Sequence, residues 1–337
     1  MKSSMMAPGS WCEPRFKADQ FVQLIRKNRV DLVIADQRVL SLHPSAEKAI
    51  AALEIQLIAL RAGEGAKSLK TLEKLSRHST SLKRGARILA LGGGTIGDVA
   101  TVFAHLHKRG AELIHVPTTL LAAVDSSIGG KGAINVGGVK NTAGVFHYAT
   151  EIWHCEEFFK TLTAAQIREG LNESLKIQLT CGREPIDAAD LQRARALKLK
   201  ICREDPYELT GTRVVLNFGH TIGHAIESLS DFRIRHGAAV GLGILCALDV
   251  GAALGIGSPD LIRHLSDSDD SRKTLSRLLR NVEFKELRTI LSADKKGASA
   301  ESINMVLLKE VGHWVVRPVK WSTLAACFPL WKRGAAL

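Results

Sequence analysis

The sequence predicts an α/β N-terminal domain with a parallel sheet, followed by a mainly α-helical C-terminal domain. Up to about Trp153, short apolar runs alternate with helix-compatible segments, a pattern typical of a parallel sheet with helices on its faces. Beyond Trp153, helix-compatible segments dominate, and glycine or proline separates several of them. We therefore place the domains at residues 1–155 and 156–337 and expect the functional site between them.

Four short apolar runs are predicted to be buried parallel strands. They occupy residues 30–36, 54–60, 87–91 and 111–117. Helices are predicted between them at residues 45–53, in a segment that ends at Leu75, and at residues 99–108.

The C-terminal half is predicted to contain helices at residues 164–179, 187–201, 220–228, 238–254, 259–265, 271–279 and 284–291. Residues 303–308 are the one convincing late strand. Residues 238–257 are nearly all apolar, but Asp249 lies near the middle. Because a charge at the centre of a bilayer costs about 3 kcal/mol, we expect a helix buried in a soluble core and no membrane association.

Composition limits the classes of partner. Lysine and arginine outnumber aspartate and glutamate by 46 to 34. The basic residues are scattered and aromatic residues make up only 5%, which favours small phosphorylated anions over nucleic acid as partners. The six cysteines are widely spaced and form no CxxC, as in reduced cytosolic proteins. The N-terminal residues lack the apolar core of a signal peptide, so we expect a cytoplasmic protein.

A glycine-rich turn follows the third predicted strand. Gly92-Gly-Gly-Thr-Ile-Gly-Asp98 has the spacing G-x-G-x-x-G between a strand and a helix. Missing side chains let a pyrophosphate approach the backbone amides, and the helix N-terminus adds partial positive charge. No clean acidic residue ends the next strand to hold a ribose. We predict a non-standard dinucleotide-binding turn, and a purely structural glycine turn is the alternative.

A polar cluster follows the fourth predicted strand. Thr118 and Thr119 end that strand, and Asp125-Ser-Ser-Ile-Gly-Gly-Lys131 and Lys140-Asn141 come next. Hydroxyls at a strand end, glycines and two lysines suit an anionic ligand. The alternative is a solvated loop.

Three histidines form the most informative constellation. His220 and His224 are four residues apart on a predicted helix and therefore share a face. His236 follows twelve residues after His224. Catalytic zinc usually takes three protein ligands and leaves a position open. Spacing alone proposes His220 and His224 as ligands, and the alternative is two helix histidines that pack or form hydrogen bonds.

These residues together resemble the 3-dehydroquinate synthase family, within the sugar-phosphate cyclases. The matching blocks keep the family's order over roughly residues 30 to 310. They are Gly92-Gly-Gly-Thr-Ile-Gly-Asp98, Arg109-Gly110, Pro117-Thr-Thr-Leu-Leu121, Asp125-Ser-Ser-Ile-Gly-Gly-Lys131, Lys140-Asn141, Gly170-Leu-Asn-Glu173 with Lys176, Leu216-Asn-Phe-Gly-His-Thr-Ile-Gly-His-Ala-Ile-Glu227, His236-Gly237 and Asp294-Lys-Lys296.

The resemblance implies a dehydroquinate-synthase-like fold and a carbon–oxygen lyase that uses NAD and Zn²⁺ or Co²⁺. The implied metal ligands are Glu173, His220 and His236, which makes His224 a catalytic group rather than a ligand. The implied cofactor contacts are Glu64, Lys67, Gly94, Thr95, Ile96, Gly97, Asp98, Thr118, Thr119, Lys140 and Thr161. The implied catalytic residues are His224, Lys131, Lys176, Asn217 and Arg213, and the implied substrate-binding residues are Asp125, Asn141, Lys198, Lys296 and Arg109.

The implied reaction converts 3-deoxy-D-arabino-heptulosonate 7-phosphate to 3-dehydroquinate and phosphate in the shikimate pathway. It runs through transient oxidation, phosphate elimination, reduction and an intramolecular aldol step. A phosphate and a carboxylate on one substrate explain a pocket rich in lysine and arginine. In the family, Arg109 would reach the substrate of a neighbouring subunit, which implies a homodimer.

Two departures from the family pattern leave alternatives open. The span from Glu173 to Lys198 is shorter than in the usual members of the family. The position of the family's substrate lysine therefore depends on where the gap is placed, and Lys200 is an alternative to Lys198. His236-Gly-Ala-Ala replaces the commoner His-Gly-Glu-Ala, and Glu204-Asp-Pro-Tyr-Glu208 resembles cyclases of secondary metabolism. Those relatives make 2-deoxy-scyllo-inosose or 2-epi-5-epi-valiolone from sugar phosphates that lack a carboxylate.

Arg213 and Asn217 argue for an acid substrate, because arginine is the natural bidentate partner of a carboxylate. An aminodehydroquinate synthase would look almost the same. A polyol dehydrogenase resembling glycerol dehydrogenase shares the two-domain plan but would not need the phosphate-binding lysines. A non-catalytic binding protein finds little support while Glu173, His220 and His236 are all present.

Overall fold

The computed structural model describes residues 15–17, 20–257, 259–265, 268–293 and 298–335. The chain forms two compact units, residues 1–170 (unit 1) and 171–337 (unit 2). The division lies inside a helix, Ala164–Cys181, and thus beyond the boundary predicted after residue 155.

Unit 1 is built on a five-stranded parallel sheet. The strands of this unit are β1 (Leu32–Asp36), β2 (Gln56–Leu60), β3 (Arg87–Gly92), β4 (Glu112–Pro117), β5 (Lys131–Val136), β6 (Val139–Phe146) and β7 (Glu151–Ile152). The sheet order is β2-β1-β3-β4-β7, and every pairing in it is parallel. The parallel sheet and its four predicted strands are therefore confirmed.

The helices of unit 1 follow the alternation expected from the sequence. They are α1 (Phe21–Lys27), α2 (Gln37–Leu42), α3 (Pro44–Ala51), α4 (Leu69–His78), α5 (Gly94–Leu106) and α6 (Ala164–Cys181), which continues into unit 2. Short 3-10 turns occur at Glu64–Ala66, His107–Arg109 and Glu156–Thr161, and one π-helical turn at Ala122–Ser126. Val33 and Leu89 of the sheet pack with Trp153 and Phe158 in a buried apolar core.

Strands β5 and β6 form an antiparallel hairpin that is not hydrogen-bonded to the parallel sheet. The sequence analysis predicted an anion-binding polar cluster in this segment and no strands, so the hairpin was overlooked. Most of β6 is exposed, so it lacks the alternating apolar residues that reveal a half-buried strand. The remaining signal is the pair Gly137-Gly138, whose φ angles of 62° and 77° suit a tight two-residue hairpin turn.

Unit 2 is mostly helical, as predicted. Its further elements are α7 (Leu191–Glu204), α8 (His220–Leu229), α9 (His236–Ala253), α10 (Ser268–Leu279), α11 (Phe284–Ala293), β8 (Ser302–Glu310), β9 (His313–Lys320) and α12 (Trp321–Arg333). Additional 3-10 turns lie at Thr212–Asn217 and Pro259–His264. The prediction of a single late strand was wrong, because β8 pairs with β9 in an antiparallel hairpin. Strand β9 was not predicted because it contains Pro318 and most of its side chains are exposed, so its sequence lacks apolar alternation.

Helix α9 is the central helix of unit 2. It is long and apolar enough to cross a membrane, yet most of its residues are buried in the unit. Asp249 accepts two bonds from the guanidinium of Arg272, at 3.0 and 3.1 Å, and one from Trp331 Nε1 at 3.0 Å. The predicted core helix is therefore confirmed, and its charge is paired, as buried charges generally are.

Glycine allows α8 and α9 to approach closely. A Cβ at Gly223 would lie 3.1 Å from the carbonyl oxygen of Ala239, and one at Gly243 would overlap the carbonyl oxygen of Gly219. Because interiors are close-packed, larger residues would separate the two helices. The approach brings the first residues of α8 and α9, His220 and His236, to one place.

Candidate active site

Three helices of unit 2 contribute to a candidate metal site. Glu173 lies in α6, His220 begins α8 and His236 begins α9. Their ligand atoms all lie within 4.8 Å of one another. Glu173 Oε1 is 3.8 Å from His220 Nε2 and 3.5 Å from His236 Nε2. The fold thus assembles a carboxylate and two imidazoles from residues far apart in sequence.

The environment of Glu173 fits a bound cation. Its side chain is fully buried, and neither carboxylate oxygen accepts a hydrogen bond from the described part of the chain. Lys176 Nζ lies 2.5 Å from Oε2 as an ion pair, which leaves Oε1 facing the two histidines. A buried carboxylate oxygen such as Oε1 that accepts no hydrogen bond is costly, and one carboxylate with two imidazoles is a recognised catalytic zinc set.

The two histidine rings are oriented through their other nitrogens. His220 Nδ1 lies 3.3 Å from the carbonyl oxygen of Phe218, and His236 Nδ1 lies 3.2 Å from Glu227 Oε2. Carbonyl and carboxylate oxygens only accept hydrogen bonds, so both contacts are hydrogen bonds when each ring carries its proton on Nδ1. The lone pair of each Nε2 then faces Glu173.

His224 stands outside the group that contains Glu173. Its ring lies 5.4 Å from that of His220 and 5.9 Å from that of His236. It is exposed on α8 and belongs to a second possible ligand group with Glu227 and His236. Helical spacing alone paired His220 with His224, whereas the geometry pairs His220 with Glu173 and His236.

Unit 2 contains several buried cations. Lys176, Lys198 and Arg213 are each at most 5% exposed, whereas Lys200 on the same helix as Lys198 is exposed. Burying a cation costs several kcal/mol unless negative charge compensates it. Of the two competing lysines of α7, Lys198 is the buried one, which makes it the stronger candidate for a ligand-binding group. Asn217, the last residue of the 3-10 turn that contains Arg213, is exposed.

Arg213 is held by the segment that precedes it. Asp205 accepts hydrogen bonds from the backbone N–H groups of Leu209, Thr210 and Arg213, at 2.8, 3.1 and 3.2 Å. Burial acts to raise the pKa of the Asp205 carboxyl, but these hydrogen bonds outweigh it and hold the pKa at about 2. The guanidinium of Arg213 donates to the carbonyl oxygen of Pro206 at 3.0 Å. The turn therefore sets both the backbone and the side chain of Arg213.

In unit 1, the glycine-rich turn and the end of β4 lie side by side. Gly92 pairs with Pro117, and Thr118 donates its N–H to the carbonyl oxygen of Gly92 at 3.0 Å. A Cβ at Gly93 would lie 3.2 Å from Thr119 Cγ2. Helix α5 begins at Gly94, earlier than predicted, so Gly94, Thr95, Ile96 and Gly97 form its first turn. The turn has the close backbone approach and free helix start that a pyrophosphate needs.

A polar network joins three predicted cofactor residues of unit 1, Glu64, Lys67 and Asp98, with the predicted substrate residue Asn141. Lys67 Nζ lies 2.6 Å from Asp98 Oδ2 and also donates to Asn141 Oδ1. Asn135 donates to Glu64 Oε2 and accepts from the backbone N–H of Asn141, each at 2.9 Å. Burial raises the pKa of Asp98, and the charge of Lys67 opposes that rise. Glu64, Lys67, Asp98 and Asn141 are thus brought together, with Asn135 as the residue that links them.

Both halves of the chain match models of one protein family. A family model described as 3-dehydroquinate synthase N-terminal matches residues 57–169, and one described as 3-dehydroquinate synthase C-terminal matches residues 151–297. The 3-dehydroquinate synthase of Endomicrobium trichonymphae is 32% identical over 324 residues, which covers 87% of each protein. The chain belongs to the 3-dehydroquinate synthase family.

Solved structures related to this family share the fold. A 2-deoxy-scyllo-inosose synthase complexed with carbaglucose-6-phosphate, NAD⁺ and Co²⁺ superposes with a TM-score of 0.80 at 23% identity, covering 98% of this chain and 99% of that one. The 2-epi-5-epi-valiolone synthase of Streptomyces hygroscopicus subsp. jinggangensis 5008, with NAD⁺ and Zn²⁺ bound, also gives 0.80, at 22% identity and with 96% and 97% coverage. At such identities the likeness establishes the dehydroquinate-synthase-like fold alone.

The remaining predicted site residues are less tightly placed. Asp125 lies in the π-helical turn after β4, Lys131 begins β5 and Lys140 lies in β6. Arg109 lies in an exposed turn at a φ of 70°. Thr161 Oγ1 is 3.2 Å from His43 Nε2. Lys296 lies outside the described residues. These assignments, and a site between the domains, stay predictions.

Sequence reasoning overlooked one candidate cofactor residue, Asp36. It ends β1, which is the neighbour of β3 in the sheet, with Ala35 paired to Leu91. Its side chain accepts from the N–H of Arg38 at 2.9 Å. From the sequence alone, an acidic residue was expected at the end of the strand that follows the glycine turn. In the sheet, the carboxylate comes from the strand on the other side of β3, where an acid can hold a ribose.

Proposed function

We propose that this chain is an NAD- and divalent-metal-dependent 3-dehydroquinate synthase that converts 3-deoxy-D-arabino-heptulosonate 7-phosphate to 3-dehydroquinate and phosphate. The observation that carries the proposal is the buried carboxylate of Glu173 facing two histidines and paired with Lys176, in a unit that also buries Lys198 and Arg213. Such a unit can hold a cation and a doubly anionic substrate together. The names of the curated relatives support the choice of reaction.

In this proposal the chain's residues bind and orient the substrate and exchange protons with it. When bound, NAD supplies a reversible hydride acceptor and a divalent ion supplies Lewis acidity. Lys176 and Lys198 neutralise phosphate charge, and Arg213 binds the carboxylate through its planar fork. His224, one helical turn from His220, holds the departing phosphate. Preorganisation of Arg213 by Asp205 reduces the cost of ordering it when the substrate binds.

The proposed NAD site lies at the carboxyl edge of the unit 1 sheet. The first turn of α5 would bind the pyrophosphate, Asp36 would hold a ribose, and the Glu64–Lys67 turn would be fixed by Asn135. This edge is where open α/β sheets bind ligands. Zn²⁺ or Co²⁺ would be held by Glu173, His220 and His236.

A second candidate is a cyclase that acts on a sugar phosphate without a carboxylate. The solved structures titled as synthases of 2-deoxy-scyllo-inosose and 2-epi-5-epi-valiolone share the fold, and Ala238 follows the His236-Gly pair where a glutamate is commoner. Arg213, which is buried and held by the segment around Asp205, argues for the acid substrate, because arginine is the natural bidentate partner of a carboxylate. An aminodehydroquinate synthase would use the same arginine.

The deciding experiment incubates purified protein, NAD and zinc with 3-deoxy-D-arabino-heptulosonate 7-phosphate, glucose 6-phosphate and sedoheptulose 7-phosphate. Phosphate and NADH are followed together. Phosphate release without net NADH, from the heptulosonate only, is expected. Net NADH accumulation would instead indicate a polyol dehydrogenase, and turnover of only the plain sugar phosphates would replace the proposed substrate.

We also propose a cytoplasmic homodimer in which Arg109 contributes to the partner subunit's site. The assembly can be tested by mixing two inactive variants, Arg109→Ala and Glu173→Ala. In mixed dimers, one of the two sites would have both residues intact, so activity should return. No recovery in mixtures that have demonstrably exchanged subunits would rule out the shared site.

A further inference from the structure

The ring of His236 lies between two carboxylates. Glu173 Oε1 is 3.5 Å from Nε2 and Glu227 Oε2 is 3.2 Å from Nδ1. The two acids come from different helices, α6 and α8, and only Glu173 belongs to the ligand group proposed above. The role of Glu227 is therefore unassigned by the proposed reaction.

Glu227 faces His236 because of its place on α8. His220, His224 and Glu227 are spaced by four and then three residues, so they share one face of the helix. The close approach of α8 and α9 at Gly223 and Gly243 turns this face toward the start of α9. The side chain of Glu227 is only 15% exposed, which shields its contact with His236 from competition by water.

The contact decides which nitrogen of His236 carries the proton. A neutral imidazole has one N–H and one lone pair. With the proton on Nδ1 and donated to Glu227, the lone pair of Nε2 faces Glu173 and His220, as a metal ligand requires. With the proton on Nε2, the lone pair of Nδ1 would face the Glu227 carboxylate, and Nε2 could not bind a cation.

We propose that Glu227 is a positioning residue for the metal site: it holds the Nδ1–H tautomer and ring orientation of His236 and increases the affinity of the ligand set. The inference rests on the metal-dependent function proposed above. Carboxylates that accept the second N–H of a ligand histidine also raise its basicity, and their loss typically costs 10–100-fold in metal affinity.

The unit offers a matched control. Glu310 and His313 form the same kind of pair, with Oε1 3.1 Å from Nδ1, on the exposed β8–β9 hairpin. Their side chains are 72% and 71% exposed, and neither residue belongs to a possible ligand group among the described residues. Removing Glu310 therefore reproduces the chemical change without touching the site.

The test uses metal-free full-length wild type, Glu227→Ala, Glu227→Gln and Glu310→Ala. Zinc affinity is measured by competition with a chromophoric chelator, and the visible absorption of the Co²⁺ form reports ligand geometry. We expect Glu227→Ala to bind zinc about 10–100-fold more weakly and to change the Co²⁺ spectrum. Glu227→Gln, whose amide oxygen can still accept from Nδ1, should lose less affinity, and Glu310→Ala should match the wild type.

Four results would count against the positioning role or against the proposed function. Wild-type affinity and spectrum in a folded Glu227→Ala protein would refute the positioning role. Loss of a second, weaker equivalent with the tight site unchanged would make Glu227 a ligand of another ion, together with His224, and would refute it as well. If Glu227→Ala does not fold, the glutamine variant decides, and an unchanged affinity there counts against the inference. A wild type that binds no zinc would instead refute the proposed function.

Discussion

Asn172 occupies the space that a side chain at Gly241 would need. A Cβ added at Gly241 would lie 2.5 Å from Asn172 Nδ2, and this same amide donates to the carbonyl oxygen of Gly237 at 2.9 Å. Asn172 precedes Glu173, and Gly237 follows His236. The contact therefore ties α6 to the first turn of α9 directly beside two candidate metal ligands.

The contact between Asn172 and Gly241 predicts that Gly241→Ala changes the free energy of unfolding in opposite directions with and without the Asn172 side chain. In the wild type, Gly241→Ala should displace the Asn172 amide and destabilise by about 1–3 kcal/mol, offset in part by about 1 kcal/mol of helix propensity. In the Asn172→Ala background the space is empty, so the same change should stabilise the protein. Denaturant unfolding of the four proteins measures both effects. Equal effects in the two backgrounds would contradict the predicted coupling.

The metal site predicts different outcomes for neighbouring histidines. Glu173→Ala and His236→Ala should lose bound zinc, since each removes one of three ligands. His224→Ala should keep zinc and lose phosphate release. Metal content by atomic absorption, measured beside activity, separates the two classes. Zinc loss in His224→Ala would restore the ligand pair suggested by helical spacing.

The two lysines of α7 should differ in function. Lys198→Met should lower kcat/KM by about 10- to 100-fold, as expected for removing a charged hydrogen bond of roughly 1.5–3 kcal/mol. Lys200→Met, which changes an exposed residue of the same helix, should remain within about twofold. Steady-state phosphate release provides the measurement. Equal losses in the two variants would show that burial does not identify the substrate lysine.

Asp205 predicts a dependence on acid pH. Its pKa falls from the ordinary value of 3.8 to about 2, so its contribution to stability is present above pH 3.8 and is lost as the pH falls through about 2. Asp205→Asn should be less stable at neutral pH and raise KM, because the new amide NH₂ cannot accept from Arg213 N–H. The stability gap to the wild type should close between about pH 4 and pH 2. Thermal melts over that range test it, with the exposed Asp231→Asn as control; a constant gap would contradict it.

Sequence patterns were reliable where a local rule governs the structure. The apolar runs of β1 to β4 and the length of α9 follow from burial and periodicity, which neighbouring residues encode. The β5–β6 hairpin, β9 and α12 were overlooked. In β6 and β9 the side chains are largely exposed, and α12 contains Pro329, so the periodic signal is weak or interrupted.

The sequence by itself determined the family, the glycine-rich turn and the residue types of a metal site, because each lies in a short contiguous motif. Helical spacing alone suggested His220 with His224, and the family resemblance implied Glu173, His220 and His236. The tertiary structure shows which groups meet: it brings Glu173 to His220 and His236, buries Lys198 rather than Lys200, and places Asp36 at the end of the strand beside the glycine turn. It alone revealed Glu227 against His236 and Asn172 against Gly241. These contacts join segments far apart in the chain, and their distances depend on how helices and strands pack, which no local spacing encodes.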